Sequence, residues 1–202
     1  MKYIILIPIY NDRESLKLLI DNINNEIKDL NHDISLVVIN DASSQQIIDT
    51  YPNIENISSI EIINMKENRG HARCIAAGLK YIFEKKEFDY VIPMDGDGED
   101  RPEEIKKFIE LSKQSEEKSL VGERVKRSEG LFFQLCYRFH KFLTLAFTGQ
   151  SIKFGNFTCL SKSTVKKLLD EKATWNSFSG SLKKIEKELI SIPSTRGKRY
   201  FG

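Results

Sequence analysis

Cysteine is scarce in this chain of 202 residues: Cys74, Cys136 and Cys159 are widely spaced and odd in number. That excludes a disulfide framework and the paired spacing of a zinc knuckle, and makes a reducing cytoplasm the expected compartment. An excess of one charge is missing too. Lys plus Arg number 31 against 29 Asp plus Glu, a formal net charge of +2, which leaves no basic footprint for nucleic acid. No run approaches the roughly 20 apolar residues that cross a bilayer. A targeting segment is likewise not expected, because strand-like sequence begins at Tyr3. What remains is a chain 40% hydrophobic and 30% charged, a balance that suits one α/β domain large enough to bury a core.

The hydrophobic pattern alternates between two periods. Tyr3 to Ile9 is a continuous apolar strand, followed by Tyr10-Asn11-Asp12 and by Leu16, Leu19, Ile20, Ile23, Ile27 and Leu30 at helical spacing. Ile34 to Ile39 repeats the strand and ends in Asn40-Asp41-Ala42-Ser43-Ser44; Ile60 to Met65 is a third. Glu67-Asn68-Arg69-Gly70 opens a helix through Ala72, Ile75, Ala76, Leu79 and Phe83. Strands and helices alternating at these lengths predict a mostly parallel, doubly wound sheet flanked by helices, in a single domain.

The fourth strand, Tyr90-Val91-Ile92-Pro93, runs into Met94-Asp95-Gly96-Asp97-Gly98-Glu99-Asp100. Acids crowded just past a buried parallel strand call for a cation, and such sheets bind ligands at the carboxyl ends of their strands. With only hard oxygens on offer, the expected ion is Mg²⁺ or Mn²⁺. A calcium loop beginning at Asp95 is excluded, because Asp100 stands where glycine is needed and Lys106 where glutamate is. A dinucleotide fingerprint beginning at Gly96 lacks its third glycine, and its acids would repel a pyrophosphate unless a metal stood between. The plainer alternative is a helix start, with Asp100 as cap, Pro102 in the first turn and Glu103 and Glu104 facing the dipole. It accounts for residues 100 to 104 but not for Asp95 and Asp97. Asp12 taken alone reads as part of a helix start, with Asp12 or Asn11 as the cap. Asp12, Asp41 and Asp95 on one rim read as a site for a nucleotide and a metal.

Taken in order, Ile7-Pro8-Ile9-Tyr10-Asn11-Asp12, Val38-Ile39-Asn40-Asp41-Ala42-Ser43, Glu67-Asn68-Arg69-Gly70 and Met94-Asp95-Gly96-Asp97 resemble glycosyltransferase family 2 and its GT-A fold. Within that family the pattern is most similar to the polyprenyl-phosphate sugar transferases, such as dolichyl-phosphate mannosyltransferase. The resemblance implies a catalytic domain over 1–202, with a nucleotide-sugar-binding half at 1–115 and an acceptor-binding half at 116–202. It implies that Pro8, Tyr10, Asp12, Ile39 and Asp41 meet the base and ribose, and that Arg69, Gly70, Met94, Asp95 and Arg199 complete the donor site. The metal is implied at Asp95 and Asp97, with Glu99 as a third ligand, and an arginine at the Arg124 position meets a phosphate of acceptor or donor. Arg199 with Gly202 matches the first half of a family Arg-x-x-Gly-x-Ser-Lys segment, and the chain stops before the rest. A longer natural protein, with membrane helices as one candidate continuation, is therefore expected.

The remaining stretches are read less sharply. Leu120 to Arg124 is a strand, and Lys126 and Arg127 suit a solvated basic loop equally well. Over 131–148, Gln134, Arg138, Lys141, Thr144 and Thr148 fall on one narrow helical stripe beside a broad aromatic face. That pattern fits an in-plane membrane helix, a core helix or a homodimer interface. In the first case the protein is peripheral at the cytoplasmic face of a membrane, and Arg138 meets a lipid phosphate. Gly149 to Phe157 reads as loop, with a short strand at Cys159-Leu160; the Asp and Gly-Phe-Arg that many polyprenyl-phosphate relatives carry here are absent. Ser161 or Ser163 caps a helix through Val165, Leu168 and Leu169, Trp175 and Phe178 read as packing, and Leu189 to Ile192 is a last strand.

The chemistry expected of such a site is attack on an anomeric carbon as a diphosphate leaves, with inversion, the developing charge stabilised by the divalent ion. A hydroxyl acceptor needs a carboxylate base, for which Asp170-Glu171 is the nearest candidate; a phosphate acceptor is already ionised and needs cations such as Arg124, Arg138, Arg196 and Arg199. A lipid phosphate is therefore the expected acceptor, a saccharide hydroxyl the alternative. A nucleotidyltransferase would show a glycine-rich basic loop where Tyr10-Asn11-Asp12-Arg13-Glu14 stands. A receiver-like domain that binds a metal without catalysis would be shorter and carry a lysine after its last core strand.

Overall fold

The computed structural model describes residues 1–46, 51, 54–124 and 153–201. Its order is β1 (Lys2–Ile9), α1 (Arg13–Glu26), β2 (Asp33–Asn40), β3 (Ser59–Asn64), α2 (His71–Lys85) and β4 (Tyr90–Pro93), then a 3-10 turn (Pro102–Glu104) leading into α3 (Ile105–Ser112). β5 (Leu120–Arg124), β6 (Phe154–Ser161), α4 (Lys162–Asp170), a second 3-10 turn (Lys172–Trp175), α5 (Phe178–Ile185) and β7 (Ile190–Ser194) complete it. The strands form one seven-stranded sheet in the order β3-β2-β1-β4-β6-β5-β7.

Alternation along β1 shows how the sheet is covered. Tyr3, Ile5 and Ile7 join Leu16, Leu19, Ile20 and Ile23 of α1 and Phe108 of α3 in one cluster. Ile4 and Leu6 point the other way, into Cys74, Ile75, Leu79 and Ile82 of α2, Val165 and Leu168 of α4, and Phe178 and Leu182 of α5. Both faces are thus buried, which is why the strand reads as one unbroken apolar run instead of an alternating one.

The sheet is mostly parallel, as expected. β1 pairs in parallel with β2 and β4, β2 with β3 and β5 with β7. The exception is β6, which runs antiparallel between β4 and β5. The sequence reads as loop up to Phe157, whereas the strand begins at Phe154 and is eight residues long. β5 pairs with it at Phe154 and, past a register shift, at Thr158 and Cys159, while β4 joins only at Leu160 and Ser161, so the pairing that makes the strand comes from distant segments. Ser161 caps α4, its side chain accepting from the Thr164 N–H. Asp100 does not cap the helix that follows: the residue preceding the turn is Arg101, without a side-chain cap, and Pro102 takes the first position. The basic loop and aromatic helix expected over 126–148, with Arg138, lie outside the described residues.

α2 comes close to the sheet at Gly78. A Cβ there would stand 2.3 Å from Leu6 Cδ1 and 3.0 Å from Ile39 Cγ1, and both of those side chains are wholly buried with nowhere to turn. Gly78→Val is expected to destabilise the fold by about 1–3 kcal/mol through overpacking, read as a lower urea midpoint. An unchanged midpoint would mean that α2 can lift off β1 freely.

Candidate functional site

The site is built where strand ends meet. β2, β1 and β4 lie side by side and parallel, so the residues after Ile9, Asn40 and Pro93 share one rim. Because β6 is reversed, its first residues arrive at that same rim, and β5 delivers Arg124 there.

The first two loops are laced together. Asn11, at φ 49°, accepts at Oδ1 from the Ser44 N–H at 2.8 Å, and its own N–H donates to Ser43 Oγ at 2.8 Å. Asp12 caps α1, its Oδ1 accepting from the Ser15 N–H at 3.3 Å, so the cap reading of this residue is the one the geometry displays. Tyr10 is 53% exposed at the tip of β1. Pro8 is buried below it, and Ile39 and Met94 are wholly buried. These three shape the floor of the rim, and their side chains offer no surface to a ligand.

Asp41 is turned inward, only 4% exposed. Its Oδ1 accepts from the Arg69 N–H at 2.7 Å and its Oδ2 from the Gly70 N–H at 2.8 Å. A carboxylate holding two successive N–H groups fixes the start of α2, with the dipole of that helix adding to the attraction. Gly70 takes φ 86°, a left-handed conformation that favours glycine. The expectation of a nucleotide contact thus meets an Asp41 whose two oxygens are already engaged.

The acidic loop carries four carboxylates, whose charge is met in three ways. Asp95 Oδ1 lies 3.2 Å from His71 Nε2 and 3.2 Å from Asn156 Nδ2. Burial works to raise the Asp95 pKa, but the hydrogen bond and charge of His71, then Asn156 and Arg124, bring it below its usual value. His71 is raised in turn, chiefly by its hydrogen bond to Asp95. Asp100, buried, accepts from the Asp95 N–H at 2.8 Å and is pushed up to about 7 by burial and by the Asp95 charge. Arg124 is exposed, and its guanidinium lies on Gly155, where an added Cβ would stand 2.8 Å from Nη2.

Asp97 and Glu99 are met by the C-terminal segment. Arg199 Nε is 3.1 Å from Asp97 Oδ2 and 3.4 Å from Glu99 Oε1, and Arg196 pairs with Glu99 Oε2. The backbone is tied down as well: the Gly197 N–H donates to the Glu99 carbonyl at 2.8 Å and the Tyr200 N–H to the Asp97 carbonyl at 3.0 Å. Asp97 is nonetheless raised, by burial and by Asp95, against the pull of the two arginines. Among the described residues no three His, Cys, Asp or Glu side chains gather as a metal cage. Of the residues expected as ligands, Asp97 and Glu99 hold guanidinium groups in this conformation, while Asp95 faces His71 and Asn156. Two carboxylates of hard oxygen at a strand end still suit Mg²⁺ or Mn²⁺, which take one or two protein carboxylates and fill the rest from substrate phosphates and water.

His71 and Asn156 escaped the sequence reading as site residues. The signals were present: His71 directly follows the Arg69-Gly70 helix start, and Asn156 sits beside Gly155 in a stretch that reads as loop. Neither was decisive, since only the reversed β6 brings them to one carboxylate.

A mostly parallel sheet covered by helices on both faces, with carboxylates at the end of its fourth strand, is the arrangement of the GT-A fold. The chain belongs to glycosyl transferase family 2, whose model matches residues 4–167. It is 27% identical over 173 residues, 84% of this chain and 50% of the relative, to an undecaprenyl-phosphate 4-deoxy-4-formamido-L-arabinose transferase of Proteus mirabilis. The enzyme of that name from Photorhabdus laumondii is 28% identical over 217 aligned positions, covering 100% of this chain and 62% of the relative. The chain thus spans half to three-fifths of these relatives. Among solved structures it is similar to a Pyrobaculum calidifontis mannosyltransferase in complex with GDP-Man and Mn²⁺, with a TM-score of 0.65, 18% identity and coverage of 98% of this chain and 56% of that one. It is also similar to S. aureus TarS 1-349 in complex with UDP-GlcNAc, with a TM-score of 0.61, 16% identity and coverage of 98% and 59%. These two likenesses are of fold.

The Asp41 anchor yields a measurable expectation. Asp41→Ala leaves two loop N–H groups without their acceptor and should cost about 1–3 kcal/mol of stability, with faster amide hydrogen exchange at residues 69 and 70. Exchange at wild-type rates would show that the loop is held by other means.

Proposed function

We propose that this chain is the catalytic part of an inverting glycosyltransferase that moves a sugar from a nucleotide-diphosphate sugar to a polyprenyl phosphate, using a divalent metal. The observation that carries the reading is the acidic strand end, Asp95 and Asp97, in a chain whose family membership and named relatives extend over most of its length. In this reading 1–115 serves the donor and 116–202 the acceptor. Tyr10, the most exposed side chain at the tip of β1, offers a face for a base to stack on. Asp95 and Asp97 would hold the metal, which supplies Lewis-acid stabilisation of the leaving diphosphate.

The acceptor choice rests on charge. Glu171, half of the pair nearest to a family-type base, is engaged by Lys184 at 2.6 Å and by the Ala173 N–H at 3.1 Å. Arg124, Arg196 and Arg199 stand at the acidic rim. A phosphate acceptor requires cations and no base, which suits this inventory. Such an acceptor also implies work at a membrane surface, for which 131–148 is the candidate segment; among the described residues no helix is long and apolar enough to cross a membrane.

Thermal unfolding in a panel of UDP- and GDP-sugars, with and without Mn²⁺, tests the donor site. One nucleotide should stabilise the protein only with metal, by about 2.7 kcal/mol at a ligand concentration of 100 Kd, and Asp97→Asn should remove the metal-dependent part. Absence of a shift with every donor would overturn the reading. Arg124→Ala should raise the KM for polyprenyl phosphate by about tenfold, the loss of one charge-assisted hydrogen bond, while donor affinity changes little. Equal losses for both substrates would contradict its role at the acceptor.

A further inference from the structure

The two oxygens of Asp95 are used unequally. Oδ1 accepts from Asn156 Nδ2 at 3.2 Å and lies 3.2 Å from His71 Nε2, which donates to it when that nitrogen carries a proton; Asn156 Nδ2 is also within hydrogen-bond distance of His71 Nε2, at 2.7 Å. Oδ2 accepts no hydrogen bond from a described residue. An aspartate carboxylate with one partner can still swing about its terminal torsion, which is broad and only two-fold. Two partners converging on one oxygen from different elements remove that freedom.

The partners are held independently. His71 is the first residue of α2, and the residues before it are pinned to the end of β2 through Asp41. Asn156 comes from β6, whose pairing to β4 and β5 places it across the rim. The end of β2, the start of α2, the end of β4 and the start of β6 therefore all contribute to the orientation of a single carboxylate. The three side chains involved are themselves polar and partly exposed, His71 at 47%, Asp95 at 20% and Asn156 half-buried. A purely packing role would have been met by apolar neighbours at lower desolvation cost.

We propose that His71 and Asn156 are positioning residues for Asp95, gripping it by Oδ1 so that Oδ2 is the atom offered to the metal and diphosphate of the donor. This rests on the glycosyltransferase reading above. The pair acts through Asp95 and needs no contact with the sugar. Partners that orient a metal-binding carboxylate are typically worth 10- to 100-fold in metal affinity.

The test is Mn²⁺-dependent donor binding, followed by calorimetry with the nucleotide sugar that stabilises the wild type. His71→Ala and Asn156→Ala should each weaken binding about tenfold or more, with the urea midpoint little changed. His71→Gln, whose amide can still donate, should recover most of the loss. In an Asp95→Asn background, His71→Ala should add no further loss, since its effect passes through the carboxylate. If His71→Ala fails to fold, His71→Gln and Asn156→Ala carry the comparison. Binding within about twofold of wild type in the alanine variants, or losses that add fully to that of Asp95→Asn, would overturn the positioning role while leaving the donor site intact. Wild-type protein that binds no donor with Mn²⁺ would remove the glycosyltransferase reading, and this role with it.

Discussion

Like charges crowded at the end of a buried strand must each find a counter-charge or a proton, and that constraint organises this molecule. Asp95, Asp97, Glu99 and Asp100 lie within a six-residue stretch after β4. In water their repulsion would be modest, but partly out of water it grows several-fold. They are settled in three ways. Asp95 is held charged by His71, Asn156 and the field of Arg124. Asp97 and Glu99 take Arg199 and Arg196. Asp100, the most buried, is pushed up to about 7 and so moves toward its neutral form.

Much of the architecture around the rim serves these pairings. The last strand ends at Ser194, and the segment after it crosses back over the acidic loop. There the Gly197 N–H reaches the Glu99 carbonyl, and the Tyr200 hydroxyl accepts from Asn22 Nδ2 at 2.9 Å. Gly98, at φ 86°, leaves room for the Tyr200 ring, which a Cβ would meet at 2.6 Å. In the glycosyltransferase reading the arginines occupy the acids that a divalent ion would use. The planar donor geometry of Arg196 and Arg199 would suit a phosphate as well as it suits these carboxylates.

The strands and helices of 3–93 were legible because periodicity is a local property. An unbroken run such as Tyr3 to Ile9 has one good solution, burial on both faces, and the chain supplies apolar helices to cover both. The helix start at Asp12 was legible for the same reason, since a cap is settled within three residues. Local pattern misread Asp100 and did not show what Asp41 holds. Asp100 has a cap's position before Pro102, yet it turns back to the Asp95 N–H. Asp41 stands where a ligand contact was expected, yet it binds the loop of Arg69 and Gly70, 28 residues or more along the chain.

By itself the sequence determined the alternating α/β pattern, the acids at the strand ends and the family to which those motifs belong, because each is written in spacing and residue type over a few neighbours. The tertiary structure alone decided that β6 runs against the sheet, that Asn156 and His71 converge on one oxygen of Asp95, and that two arginines of the last segment sit on Asp97 and Glu99. Those facts depend on which distant backbones become neighbours. Electrostatic pairing between residues 61 or 102 positions apart is fixed by sheet order and strand direction, and neither is a property of any short stretch of chain.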